Sequence, residues 1–278
     1  MNKLKQYANK PLSFIALILI IISTLITALA IIFIIGYILI KGVPNLSADL
    51  FSLKYSSANQ SMLPSIINTV YLTALTLLLA VPVGIFSAIY LVEYARKSSF
   101  FVKIINVANE TLSGIPSIVY GLFGFLAFVI SKKWGYSLLA GVITLAIMVL
   151  PLIIRTSQEA MLGVDNSFRE ASYGLGAGKL RTVFKIVLPS AMPGILSGVI
   201  LAIGRIVGET AALIYTAGTV PEAATSLTSS SRTISVHLYC LLNEGLYTEQ
   251  AYATAVVLII FVVIINALSN FLAKKIIK

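Results

Sequence analysis

Charge is scarce in this sequence: 11% of its 278 residues are Asp, Glu, Lys or Arg, where a soluble domain carries about 25%. There is one cysteine, Cys240, and one histidine, His237. The first excludes an intrachain disulfide framework, and the two together cannot make a metal-ligand cluster. No HExxH is present, and no nucleophile stands beside a base, so no catalytic residue is expected. A phosphate-binding loop is also missing. Gly174-Leu-Gly-Ala-Gly178-Lys179 looks briefly like one, but Tyr173 stands where glycine is required, and Leu180 follows the lysine where Ser or Thr would meet a metal ion. Energy for any transport must therefore come from a partner or an ion gradient.

Apolar residues are plentiful. They make up 58% of the chain, too many for disorder and too many for the polar coat of a soluble globule. The reading is an all-α integral membrane protein. Six charge-poor runs are long enough to cross about 30 Å of hydrocarbon: 11–40, 66–92, 111–131, 134–154, 188–217 and 250–273. Pro82 with Gly84, and Gly114 with Pro116, predict kinks in the second and third. Residues 1–40 read as a retained span, because the apolar run is far longer than that of a cleaved leader. Nothing remains for a large soluble domain, so residues 1–278 read as one membrane unit.

The net charge of +10 would suggest nucleic acid in a soluble protein, but here it sorts by position. Taking alternate connections, one side of the membrane collects 14 cations and the other five, leaving Arg205 within a span. The positive-inside rule then places both termini in the cytoplasm and makes the lipid bilayer, not nucleic acid, the surrounding partner. Trp134 and Tyr136 fit an aromatic belt, and Gly36, Gly121, Gly124, Gly141, Gly194 and Gly198 fit helix-packing positions. The loop 218–249 falls on the outer side, and its apolar residues suggest that part of it lies on the membrane surface.

The largest inward connection, 155–187, is the richest in pattern. Asp165 or Asn166 can cap a short helix, glycines 174, 176 and 178 allow a reversal, and Lys179 to Val187 can form a second amphipathic turn ending at Pro189. Two short helices joined at glycine make a knob wired into the fifth span. Its residues Glu170-Ala171-Ser172, then Gly176, then Ile186, Leu188 and Pro189, resemble EAA-x3-G-x9-I-x-LP, the cytoplasmic loop signature of ABC importer permeases. Six of seven specified positions match, with Ser172 standing for the second Ala. The resemblance implies a type I (MetI-like) permease of six transmembrane helices. In that family the loop docks on a separate ATPase subunit, which would bind the ATP and Mg²⁺ that this chain cannot.

Within the fifth span, Arg205 and Glu209 lie four residues apart, and the helical reading puts them on one face. Charges at that depth are either a helix-locking ion pair or part of a solute path. A guanidinium fork suits a tetrahedral oxyanion, and Arg155 is either an extension of that route or a positive-inside anchor. A carboxylate at 209 would repel fully ionised sulfate yet accept a hydrogen bond from phosphate that keeps a proton.

Four further blocks are spread along the chain: Gly114 to Gly124, Pro151 to Glu159, Gly204 to Ala212 and Ala251 to Ala255. They resemble the PstA-type permease subunits of bacterial phosphate importers. The sister PstC type shares several of them, while the short N-terminus and the Ile-Arg-Thr segment favour PstA. The resemblance implies a PstC-type second permease, two PstB-type ATPase copies, a PstS-type extracytoplasmic phosphate-binding protein, and the bacterial inner membrane. It also implies roles for Arg155 and Arg205 in phosphate passage. Another oxyanion or a small solute as cargo, or a stand-alone channel or carrier, are the competing readings.

Overall fold

A computed structural model describes residues 11–96 and 99–277; the N-terminal lysines Lys3, Lys5 and Lys10, along with Lys97 and Lys278, lie outside them. Ten helices follow in order among the described residues: α1 (Pro11–Gly42), α2 (Leu63–Tyr94), α3 (Phe100–Ser113), α4 (Ser117–Ser131), α5 (Leu138–Leu162), α6 (Asn166–Gly174), α7 (Lys179–Val207), α8 (Ala211–Thr216), α9 (Ile234–Glu244) and α10 (Thr248–Ile277). Five are long and apolar enough to cross a membrane: α1, α2, α5, α7 and α10. The sixth span exists only if α3 and α4 count together, and these are bent by 105° at Gly114-Ile-Pro116.

That bend is the kink that Gly114 and Pro116 predict in the run 111–131, and it is sharp enough to divide the run into two helices. The residue before a proline is pushed out of helical geometry, and Pro116 cannot donate an amide. Tyr120 holds the corner by donating its hydroxyl to the Leu112 carbonyl at 2.8 Å.

The core is built around α5, which packs on α2 and on α7. Leu145, Met148, Val149 and Ile153 of α5 are fully buried against Leu72 of α2 and Ala202 and Ile206 of α7. The α5–α7 seam is close because α7 is bare there: a side chain at Gly194 would strike Ala160, and one at Gly198 would strike Thr156. Gly36, by contrast, has nothing within 4 Å, so its packing role is not seen within this chain. α1 lies on the outside of the bundle and presents almost its whole apolar length outward.

The fifth span also differs from expectation. α7 starts at Lys179 and passes through Pro189 without a stop, because a wide π-type turn at Val183–Val187 takes up the proline's missing donor. It then ends at Val207, and residues 208–210 separate it from α8. After α8 the chain folds back over the start of α5, where the carbonyls of Thr216, Ser229 and Leu227 accept from the amides of Ser137, Leu138 and Leu139. Asn68 pins this return segment from α2: its amide group donates to the carbonyls of Glu222 and Arg232, and its oxygen accepts from Ala224. α9 follows with Ile234, Val236 and Leu241 fully buried. These three apolar residues of the 218–249 loop sit inside the protein, whereas Leu242 and Leu246 are exposed.

Candidate coupling surface and membrane pathway

The knob forms as its sequence suggests, and each cap can be named. Asp165 accepts from the Ser167 amide at 2.8 Å, satisfying a free donor at the start of α6. The bond holds the Asp165 carboxyl below its ordinary value. At the other end, Gly176 takes φ +80°, its amide bonds the Tyr173 carbonyl, and the Ala177 amide bonds the Ser172 carbonyl. This is a Schellman cap, whose reversing position needs a residue free to adopt positive φ. Gly176 thus has a conformational reason to be glycine, whatever else it touches.

Ser172 faces inward. It is buried, and its hydroxyl lies 2.8 Å from that of Thr182 on the first turn of α7. Glu170 and Ala171 face outward beside Phe168, Leu175 and Leu180. Leu175 is 90% exposed. Between α6 and α7 lies a cavity of ≈ 380 Å³, walled by Phe168, Ala171, Leu175, Gly176, Arg181 and Ile186. Contiguous apolar groups rimmed by charge mark a protein-docking surface. Leu188 is half-buried against the core under the knob, and Pro189 is exposed.

A residue that sequence reasoning counted only as a cation fastens the knob. Arg169 gives Glu93, at the end of α2, two hydrogen bonds from Nε (3.1 Å) and Nη2 (2.8 Å). It also caps the carbonyls of Val164 and Met161 at the end of α5. Both charged side chains are largely buried. Glu93 and Arg169 are 76 positions apart, so no local spacing announces the pair.

In the membrane, Arg205 opens into a cavity of ≈ 630 Å³ bounded by Leu152, Ser197, Ile200, Gly204, Asn266 and Asn270, among others. Of these walls, Leu152 lies just past the middle of α5. Glu209 is not the partner of Arg205. Glu209 falls beyond the end of α7, is buried, and uses one carboxylate oxygen to accept from the amides of Thr210 and Ala212, both at 3.1 Å. It caps α8, and its own carbonyl accepts the Ser235 hydroxyl from α9. The expected shared face fails because the helix stops before it reaches Glu209.

Arg155 is exposed and pairs with Glu159 one turn on, at 2.9 Å. It does not line the Arg205 cavity, but Glu159 lines a second cavity of ≈ 470 Å³ that shares Ser197 and Leu201 with the first. A third, of ≈ 420 Å³, shares Glu159, Ala160 and Gly194 with the second and reaches Asp165 at the knob. The small residues of the α5–α7 seam therefore leave a furrow from Arg205 to the loop face, with the Arg155–Glu159 pair on its rim.

The same architecture recurs in solved transporters. The chain superposes over its whole length on a subunit of a bacterial alginate ABC transporter (TM-score 0.69, 17% identity, 99% of that chain). Over 77% of its length it superposes on a subunit of the MetNI methionine ABC transporter (TM-score 0.58, 17% identity, 93% of that chain). Residues 80–278 match the family model of the binding-protein-dependent transport system inner membrane component. The chain belongs to that family. Among ABC permeases it is 33% identical to the probable ABC transporter permease protein YqgI of Bacillus subtilis, across 87% of this chain and 88% of that one. It is 34% identical to the phosphate transport system permease protein PstA of Yersinia pestis, across 98% and 93%. A PstA of Pasteurella multocida matches at 34% across 81% of each. The fold reading of a MetI-like permease, made from the loop signature, is thus correct, and the PstA-type resemblance holds over nearly the full chain.

Proposed function

We propose that this permease is a membrane subunit of an ATP-driven importer that carries inorganic phosphate into the cytoplasm, in a bacterial inner membrane and with both termini inside. The observation that carries the reading is that Arg205, on a membrane-spanning helix, lines a cavity of ≈ 630 Å³ with no carboxylate among its walls. A donor-only planar fork at that place attracts a tetrahedral oxyanion. The PstA names of the relatives support phosphate as the oxyanion. One chain supplies half of a pathway, so a second permease of PstC type completes it and a PstS-type protein delivers phosphate from outside.

The knob is the coupling element. Two PstB-type ATPase copies bind ATP and Mg²⁺ outside this chain, one of them seating on Glu170, Ala171 and the apolar residues around Leu175. Closure of the ATPase pair pulls the knob, and α7 carries that displacement as one continuous helix to Arg205. The site at Arg205 must be weak, since a tight one would hold its ion.

The deciding measurement is uptake of labelled phosphate at low external concentration under excess sulfate, in cells with and without the chain and with other phosphate routes silenced. Sulfate-resistant uptake should disappear on deletion, and Arg205→Ala should lower it at least about tenfold, as expected for losing charge-assisted hydrogen bonds, with assembly intact. Normal phosphate uptake in the deletion strain would remove phosphate as cargo, and normal uptake in Arg205→Ala would remove the arginine's role.

A further inference from the structure

The last helix interrupts its apolar stretch with Asn266, Ser269 and Asn270. Asn266 and Asn270 stand four apart on α10 and so share a face. That face closes the Arg205 cavity, opposite Arg205 and Ser197 of α7. Asn266 is half-buried and Asn270 is exposed toward the cavity side of the helix end, one turn before Lys274, and polar residues on a membrane span mark pathways. The cavity, at ≈ 630 Å³, has room for a small oxyanion and several waters at roughly 30 Å³ each.

The chemistry of the three side chains is complementary. A guanidinium only donates, which serves the ionised oxygens of any oxyanion. An oxyanion that keeps a proton also needs an acceptor for its O–H, and each carboxamide offers a carbonyl oxygen beside its N–H donors. Glu209, the other acceptor that sequence spacing suggests, is held outside this cavity as the cap of α8. We propose that Asn266 and Asn270 are specificity-determining residues of the Arg205 cavity, accepting the O–H of a protonated tetrahedral oxyanion while Arg205 donates to its charged oxygens. The inference rests on the oxyanion-importer reading above and says which groups on this chain discriminate.

The test uses the whole importer in proteoliposomes, following labelled phosphate moved per ATP hydrolysed. Asn266→Leu with Asn270→Leu keeps side-chain bulk and removes the hydrogen bonds. Phosphate moved per ATP should fall about ten- to a hundredfold, the loss expected for hydrogen bonds to a charged group, with assembly and ATP hydrolysis retained. An unchanged ratio overturns the proposal. If the leucine pair fails to assemble, Asn270→Cys in a Cys240→Ser chain decides. Its modification by a water-soluble thiol reagent should be slowed by phosphate during turnover, and a thiol that is unreactive or indifferent to phosphate overturns the proposal. The wild-type importer separates the two readings: if it moves another anion and not phosphate, the cargo is wrong, and the same variant-to-wild-type ratio, measured with that anion, still judges the two asparagines.

Discussion

The hydroxyls of Ser172 and Thr182 lie 2.8 Å apart in a buried contact that ties α6 to the first turn of α7. Ser172 is the one position at which the loop departs from the family signature. It points into the knob, so its consequence is internal cohesion and not the shape offered to a partner. Thr182 has a second acceptor, the Gly178 carbonyl at 3.3 Å, whereas no other partner of the Ser172 hydroxyl is seen among the described residues. Thr182→Val should therefore destabilise more than Ser172→Ala, by about 1 to 3 kcal/mol for the orphaned hydroxyl against about 1 for the lost bond. Thermal unfolding of the two purified variants measures the order; equal losses would mean that the Gly178 carbonyl does not serve Thr182 as an alternative acceptor.

Arg169 is expected to be far less tolerant. It joins three elements: Glu93 at the end of α2, two carbonyls at the end of α5, and its own helix α6. Arg169→Met would leave the Glu93 carboxylate buried without its partner, a change that costs about 3 to 5 kcal/mol in other proteins. Exchanging the charges, with Glu at 169 and Arg at 93, should not rescue the fold, because a carboxylate cannot cap the Val164 and Met161 carbonyls. Rescue by the exchange, read from thermal unfolding and ATP-dependent uptake, would reduce the clamp to a simple ion pair.

The spans were readable because a charge-free run of about 20 residues has few fates other than a membrane helix. The knob was readable because caps and glycines act over three or four residues. What escaped depends on distance or direction. Gly114 and Pro116 announce a kink in 111–131, but its size, a bend of 105°, is set by the packing of the two helices. The Arg205-x3-Glu209 spacing implied one helical face, yet the helix ends at Val207. Glu93 and Arg169 meet through tertiary packing alone. Asn266 and Asn270 were open to view as polar interruptions of an apolar run, but only α7 beside α10 gives them a shared cavity with Arg205.

His237 gives the side of the bundle opposite the knob a defined response to acid. The ring is fully buried edge-on to Tyr55, and the Arg232 guanidinium lies over the same tyrosine. Burial, and then the charge of Arg232, push the imidazole down to about 3 from its ordinary value of about 6.5. Between these values the unfolded chain binds a proton that the folded chain refuses. Stability from this residue is therefore complete above about 6.5 and falls as pH drops toward 3. In hydrogen exchange, protection of α9 should decline through that window and should decline less in His237→Gln. Equal decline in both proteins would place the acid response elsewhere.

Glu209 separates a structural role from an electrostatic one by a single substitution. Its Oε1 atom caps α8 through Thr210 and Ala212, and a glutamine oxygen can accept the same two bonds. Glu209→Gln should therefore leave the fold intact, whereas Glu209→Ala should cost about 0.5 to 2 kcal/mol, the usual loss of a helix cap. Transport then reports on the charge. Glu209 lies outside the Arg205 cavity, so its charge can act on an anion only through space; acting so it disfavours a fully ionised anion, and Glu209→Gln should admit more sulfate while phosphate uptake persists. If sulfate exclusion and phosphate uptake are both unchanged in Glu209→Gln, the negative charge has no part in selection, and Glu209 serves only to start α8 where the fifth span breaks.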